Sequence, residues 1–215
     1  KEYIDFTAGI GVNALGYCDP EWSAAVAEQA GKIQHMCNYY YCPENTALAQ
    51  ELSQASGMAK AFFCNSGAEA TEVAVKIARK YGEKRGAYRI VTLENSFHGR
   101  TLTTLAATGQ AGFHREFLPL TEGFLYAQAG DLAGIQALLD GSVCAVMLEM
   151  VQGEGGVIPM DESFVQGLAQ LCKEQDVLLL VDEVQTGVGR TGSFFAYQGS
   201  GLAPDVVTCA KAIAG

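Results

Sequence analysis

An acid and an amine, each closing an apolar run, are the residues of this sequence best suited to chemistry. Val177 through Val181 are consecutive aliphatics that stop at Asp182, and Glu183, Val184, Gln185, Thr186 and Gly187 follow. A second strand-like run, Asp205-Val206-Val207-Thr208-Cys209-Ala210, stops at Lys211. Unbroken aliphatics mark a strand covered on both faces, and open parallel sheets bind ligands beyond the carboxyl ends of such strands. A carboxylate and a primary amine delivered to one sheet edge suit an organic cofactor. The amine forms a Schiff base with an aldehyde, and the carboxylate keeps a ring nitrogen protonated.

Asn65-Ser66-Gly67-Ala68-Glu69 supplies a third part. Ser66 is placed to cap a helix, and Glu69, three residues on, completes a capping box. The amides of Gly67 and Ala68 then face outward at the helix's positive end, a position that suits a phosphate. Alone, each part has an ordinary reading: a capped helix, an ion-pair partner at Asp182, a surface lysine at Lys211. Together they meet the needs of pyridoxal phosphate, which asks for an amine, a carboxylate and an anion site. Gly187-Val188-Gly189-Arg190-Thr191-Gly192 spells GxGxxG. Glu183 to Thr186 separate it from the strand, however, and Ser193 to Tyr197 open no amphipathic helix. A glycine-rich active-site loop is a better reading than a dinucleotide fingerprint.

The elements that must position these residues alternate. A turn-rich segment from Tyr3 to Gly16 leads to a helix opening at Asp19-Pro20, with Trp22, Val26, Ala30 and Ile33 at helical spacing. A second helix runs from Glu44 to Ala55, Ala61 to Cys64 reads as a short strand, and Ala70, Val73, Ala74 and Ile77 mark the buried stripe of the next helix. Strands at 89–93, 142–150 and 177–182 then alternate with helices at 131–139 and 163–175. This is an α/β chain with a mainly parallel sheet and right-handed crossovers. The stretch from Gly109 to Gly130 is long for a loop, and carries function or hides a short element.

Composition sets limits. The 215 residues are 49% hydrophobic and 18% charged, which fits a packed globular protein. A formal charge of −10 without any Lys/Arg cluster argues against nucleic-acid and anionic-membrane partners. The seven cysteines are scattered, mostly in apolar surroundings, and read as reduced buried thiols of a cytoplasmic protein. No Cys/His spacing matches a metal site, so none is expected. The chain starts without Met and stops just after Lys211, which reads as a fragment.

With these motifs in order, the sequence closely resembles the class III (ornithine-type) pyridoxal-phosphate aminotransferases. Leu180 to Gly192 and Pro204 to Lys211 carry the resemblance, together with Asn65 to Ala70, Ser96-Phe97-His98-Gly99-Arg100-Thr101 and Glu149 to Gly156. Asp5 to Gly16 and Glu94 to Thr101 are most similar to the acetylornithine branch. The resemblance implies the large domain of a fold type I transferase, with helices on both faces of the sheet. Residues 1–40 would be an N-terminal segment with its opening helix. Residues 41–215 would be an incomplete cofactor-binding domain, lacking the C-terminal small domain with its substrate arginine and the Ser/Thr that reaches the partner's phosphate.

It also implies roles. Lys211 would carry the Schiff base, Asp182 would hold the pyridine nitrogen, and Gln185 would bond the ring's phenolic oxygen. Gly67 and Ala68 would bind phosphate beside Ser66, while Phe97 and Val184 would cover the two faces of the ring. Arg100 would receive a substrate carboxylate, Glu154 would be an acidic gate between half-reactions, and Glu149 would support the site from behind. His98 reads as a structural hydrogen-bonder, Glu183 as a contact of cofactor or backbone, and Tyr39 to Tyr41 as either a substrate entrance or a packed aromatic loop. The implied reaction is transamination from N2-acetyl-L-ornithine to 2-oxoglutarate in arginine biosynthesis, by a cytoplasmic homodimer. A related ω-aminotransferase using succinylornithine, ornithine or 4-aminobutyrate is the first alternative. An NAD-binding oxidoreductase and an inactive cofactor-fold fragment are the remote ones.

Overall fold

The structure is a computed structural model that describes residues 1–214. Its contacts group the chain into two compact units, residues 63–210 and residues 1–62 with the segment from Lys211 onward.

In the first unit, a single turn at Ala8–Gly11 (α1) holds Gly9 and Ile10 in left-handed backbone. Two helices follow, Pro20–Lys32 (α2) and Pro43–Ser56 (α3), each with proline in its first turn. Asp19 caps α2 by accepting the Trp22 N–H at 2.8 Å. The apolar stripe expected on α2 is present but uncovered: Trp22 is 42% and Val26 49% exposed. Residues 61–64 form no strand. A strand exists only within a ladder, and no described residues pair with this run.

The second unit contains α4 (Gly67–Gly82), β1 (Arg89–Leu93), α5 (Leu102–Ala107), α6 (Ala111–His114), β2 (Phe124–Ala127), α7 (Leu132–Leu138) and β3 (Val143–Leu148). The hairpin strands β4 (Val151–Gln152) and β5 (Ile158–Pro159) follow, then α8 (Glu162–Glu174), β6 (Leu178–Asp182), α9 (Ala196–Gly199) and β7 (Val206–Thr208). The five main strands run parallel in the order β2-β1-β3-β6-β7. From β1 the chain goes one way to β2 and returns across to β3, so the order reverses between β1 and β3, where such sheets bind ligands.

Period-two alternation divides the core. Val146, Leu148, Leu179 and Val181 face α7 and α8 together with Ile135, Phe164 and Leu168. Ala145, Met147 and Leu180 face the opposite way, onto Ala74, Val75 and Ala78 of α4. Helices on both faces explain why these strands read as unbroken aliphatics. On α4 the buried face runs through Thr71, Ala74, Val75 and Ala78. Of the stripe expected there, Ile77 is instead 43% exposed.

The long stretch from Gly109 to Gly130 hides α6 and the edge strand β2. Its strand signal is weak because Phe124-Leu125-Tyr126-Ala127 sits at the sheet edge and is only partly covered. Only Cys144 and Cys172 are buried, their thiols pushed up to about 11 and about 12 by loss of solvent, whereas Cys18, Cys37 and Cys64 are exposed.

Candidate active site

The carboxyl ends of β1, β3, β6 and β7 converge around Asp182. The last residue of β6 pairs in register with Thr208 of β7, and its carboxylate is 5% exposed. Oδ1 accepts the Thr208 hydroxyl at 3.1 Å and the Val184 N–H at 3.0 Å. Oδ2 lies 2.8 Å from His98 Nδ1, which donates to it. A carboxylate offers about four lone-pair sites. Three are taken, and Oδ2 keeps one for a further N–H donor, as a protonated ring nitrogen would be.

Glu149 lies just beyond β3, with Oε2 accepting the Phe97 N–H at 3.0 Å. Burial pushes its carboxyl up to about 7, helped by the Asp182 charge and opposed by His98. For His98, burial is the largest influence and favours the neutral ring. The Asp182 hydrogen bond and charge, with the Glu149 charge, outweigh it, so the imidazole holds its proton more tightly than usual. Phe97 and His98 therefore leave β1 with opposite tasks. Phe97 is half-buried, and its backbone is tied to Glu149; His98 is buried on Asp182.

The start of α4 reaches the same edge. Ser66 Oγ accepts the Glu69 N–H at 3.1 Å, as a cap should. The Glu69 carboxylate differs from the expected box: it takes the N–H of Asn65 at 2.5 Å, one residue before the cap. With Ser66 as the cap, Gly67 and Ala68 occupy the first helical turn, whose N–H groups have no partner within the helix. A Cβ on Gly67 would lie 2.8 Å from the Val184 side chain, and one on Gly99 would lie 3.1 Å from Ala68. The helix terminus thus touches both the Asp182 turn and the Phe97 turn.

On the other side stands the β4–β5 hairpin. Gln152 Nε2 donates to the Glu94 carbonyl at 2.8 Å, and a Cβ on Gly153 would meet Gln185 Oε1 at 1.6 Å. Glycine here lets the Gln185 amide lie on the hairpin backbone. Glu154 is exposed in the adjoining turn. Arg100 is exposed, with its guanidinium over the rings of Phe97 and Phe113.

Glu183 faces away from this cluster. It is fully buried and accepts the Thr186 hydroxyl and, at 2.9 Å, the Tyr197 N–H, so it anchors the glycine-rich loop. No helix opens at Gly187–Gly192, where Gly189 and Gly192 take left-handed backbone. The run lacks the strand-to-helix turn of a dinucleotide fingerprint. Lys211 follows β7 and begins a turn of 3-10 helix, Lys211–Ala214, that groups with the first unit. Its φ is +52°, a left-handed conformation uncommon for a side-chain-bearing residue. Trp22 Nε1 donates to the Ala214 carbonyl at 3.1 Å and pins that turn to α2. Tyr39 and Tyr41 do not pack; they are 93% and 95% exposed.

His98 is the structural hydrogen-bonder that the sequence suggests, but the sequence does not identify its partner, Asp182. Phe97 and His98 lie in the irregular segment after β1, where no strand periodicity signals which way a side chain points. The partner of His98 lies 84 residues away, which spacing alone does not reveal.

Several known proteins are similar to this chain in sequence and structure. An acetylornithine aminotransferase of Haemophilus ducreyi is 52% identical over 219 residues, covering 100% of this chain and 56% of that protein. The crystal structure of N-acetylornithine aminotransferase from Stenotrophomonas maltophilia matches with a TM-score of 0.82 and 42% identity, over 97% of this chain and 53% of that one. A PLP-bound amine transaminase from an uncultivated Pseudomonas species matches with a TM-score of 0.91 and 28% identity, over 99% and 55%. The chain spans about half the length of these relatives. The family model described as Aminotransferase class-III matches residues 1–215, and the chain belongs to that family.

Proposed function

We propose that the protein to which this chain contributes is a pyridoxal-phosphate-dependent aminotransferase moving the terminal amino group of N2-acetyl-L-ornithine to 2-oxoglutarate, a step of arginine biosynthesis. The observation that carries this reading is the buried Asp182 carboxylate, with one acceptor site left, on the sheet edge that also holds the α4 terminus. The names of the Haemophilus ducreyi and Stenotrophomonas maltophilia relatives support the donor, and the Pseudomonas structure supports the cofactor.

When bound, pyridoxal phosphate supplies an electron sink for the pair left as a proton departs the donor carbon. Asp182 would hold the proton on the pyridine nitrogen, and the His98 hydrogen bond orients the Asp182 carboxylate. Gly67 and Ala68 would hold the phosphate through their backbone N–H groups, beside Ser66. Phe97 and Val184 would exclude water from the ring faces, and the Gln185 amide would bond the phenolic oxygen. Lys211 would be the amine that holds the cofactor's aldehyde carbon, and its Nζ would serve as the general base toward the donor carbon. Arg100 receives the donor's carboxylate, and Glu154 gates the exchange of one substrate for the other. Glu149 fixes the Phe97 backbone.

Residues 41–215 would belong to the cofactor-binding large domain, with residues 1–40 as its N-terminal segment. We place the protein in the cytoplasm as a homodimer with active sites at the interface. Exposed Tyr39 and Tyr41 support a partner surface, since such aromatics are usually covered in an assembly. No helix among the described residues is long and apolar enough to cross a membrane.

The full-length protein should be yellow, and borohydride should fix the colour covalently to Lys211. A donor panel of acetylornithine, succinylornithine, ornithine and 4-aminobutyrate should favour the first. A colourless protein that ignores pyridoxal phosphate would sink the reading.

A further inference from the structure

Phe113 belongs to none of the roles above, yet its place is tightly fixed. His114 Nε2 bonds with the carbonyl oxygens of Leu105 at 3.0 Å and Thr108 at 2.8 Å. Gln110 Nε2 donates to the Ser96 carbonyl at 3.0 Å. Ser96 immediately precedes Phe97, so the segment bearing Phe113 is tied to the Phe97 turn. The two rings meet edge to face, with centroids 5.9 Å apart and planes at 74°. The Arg100 guanidinium carbon lies 4.7 Å from the Phe113 centroid and 5.7 Å from that of Phe97.

Arg100 is exposed, and no carboxylate among the described residues forms an ion pair with it. A long exposed side chain of this kind has many rotamers, and a carboxylate ligand must freeze them. An acidic neighbour would restrain it only by occupying the N–H groups that the ligand needs. Aromatic faces restrain it through the ring quadrupole, and all five N–H donors stay available for a bidentate carboxylate. Phe113 is the nearer ring. Phe97, the farther ring, has its backbone held by Glu149.

We propose that Phe113 is a specificity-determining positioning residue, holding Arg100 ready for the carboxylate of an amino-acid donor. The proposal rests on Arg100 being the carboxylate receiver. It makes the preference for amino acids over carboxylate-free amines a property of the Gly109–Gly130 segment as well as of the arginine.

The test compares two donors that differ only in that carboxylate, N2-acetyl-L-ornithine and N-acetylputrescine, with the full-length holoenzyme. Calorimetry on the same protein gives the Kd of glutarate, an unreactive dicarboxylate. Phe113→Leu should cut the kcat/KM ratio of the two donors by about two- to fivefold, the size expected of a cation–π contact at a partly exposed site. The loss should appear in the KM for acetylornithine, and glutarate should weaken by a similar factor. Phe113→Tyr, which keeps the ring, should retain both values. A Leu variant with an unchanged donor ratio and unchanged glutarate Kd would overturn the proposal, as would one that loses both donors equally. A Tyr variant as impaired as Leu would do the same. Wild-type protein that does not prefer acetylornithine to N-acetylputrescine would overturn the Arg100 reading, and this proposal with it, before any substitution is made.

Discussion

His98 Nδ1 and Asp182 Oδ2 lie 2.8 Å apart, both side chains buried, one from the turn after β1 and the other from the end of β6. The bond joins two non-adjacent strands across the carboxyl edge, with β3 between them. Removing the imidazole leaves a buried carboxylate short of a donor, which costs roughly 1–3 kcal/mol or more for a charged acceptor. His98→Leu should lower stability by about that amount, read by thermal and denaturant unfolding. His98→Gln, which keeps an N–H donor, should recover part of it. Equal stability of the Leu variant and the wild type would remove the bond from the structural account.

Glu149 makes stability depend on pH. Its carboxyl is raised to about 7 in the folded protein, from 4.5. A raised carboxyl contributes its stability fully below the unfolded value and loses it as pH rises through the folded one. His98, also raised, acts in the same direction. The wild type should therefore lose stability between about pH 4.5 and pH 7 from this site. Glu149→Gln can still accept the Phe97 N–H but has no proton to lose. It should be more stable than wild type at pH 8 by an amount on the order of 3 kcal/mol, with little difference at pH 4.5. Unfolding curves at the two pH values check this; a gain at pH 4.5 equal to that at pH 8 contradicts it.

Two neighbouring glycines should respond differently to alanine. At Gly153 the new Cβ meets the end of the flexible Gln185 side chain, while at Gly155 it comes within 2.5 Å of the Asn95 backbone carbonyl. Gly153→Ala should displace the Gln185 amide and weaken pyridoxal phosphate retention, measured by dialysis and absorbance, with little change in Tm. Gly155→Ala should cost about 1–3 kcal/mol of stability, because backbone must move. A reversed pattern would mean that the hairpin is not packed as described.

Ser66 separates capping from anion binding. Ser66→Ala removes the acceptor for the Glu69 N–H and should cost about 1 kcal/mol. Ser66→Asp keeps a capping oxygen but adds a negative charge beside the Gly67 and Ala68 amides. It should retain stability and release pyridoxal phosphate more readily than Ser66→Ala does. Tighter cofactor binding by the Asp variant would argue against a phosphate at this helix end.

Local signals sufficed for much of this protein because the physics that sets them is local. The aliphatic run before Asp182 already required a strand covered on both faces, and the structure covers it with α4 on one side and α8 on the other. Asp19-Pro20 and Ser66 marked helix starts because a cap answers to amides two or three residues away. The run 61–64 was misleading for the opposite reason: a strand depends on a partner that its own residues do not encode. The same holds within the site. The sequence by itself determined which residue types stand at the strand ends and at the start of α4: a carboxylate at Asp182, an amine at Lys211 and a capping serine at Ser66. Only the tertiary structure decided that His98 stabilises Asp182, that Glu149 is buried enough to keep its proton near neutrality, and that Phe113 steadies Arg100. Burial and pairing across strands depend on register and sheet order, and these emerge when the whole sheet assembles.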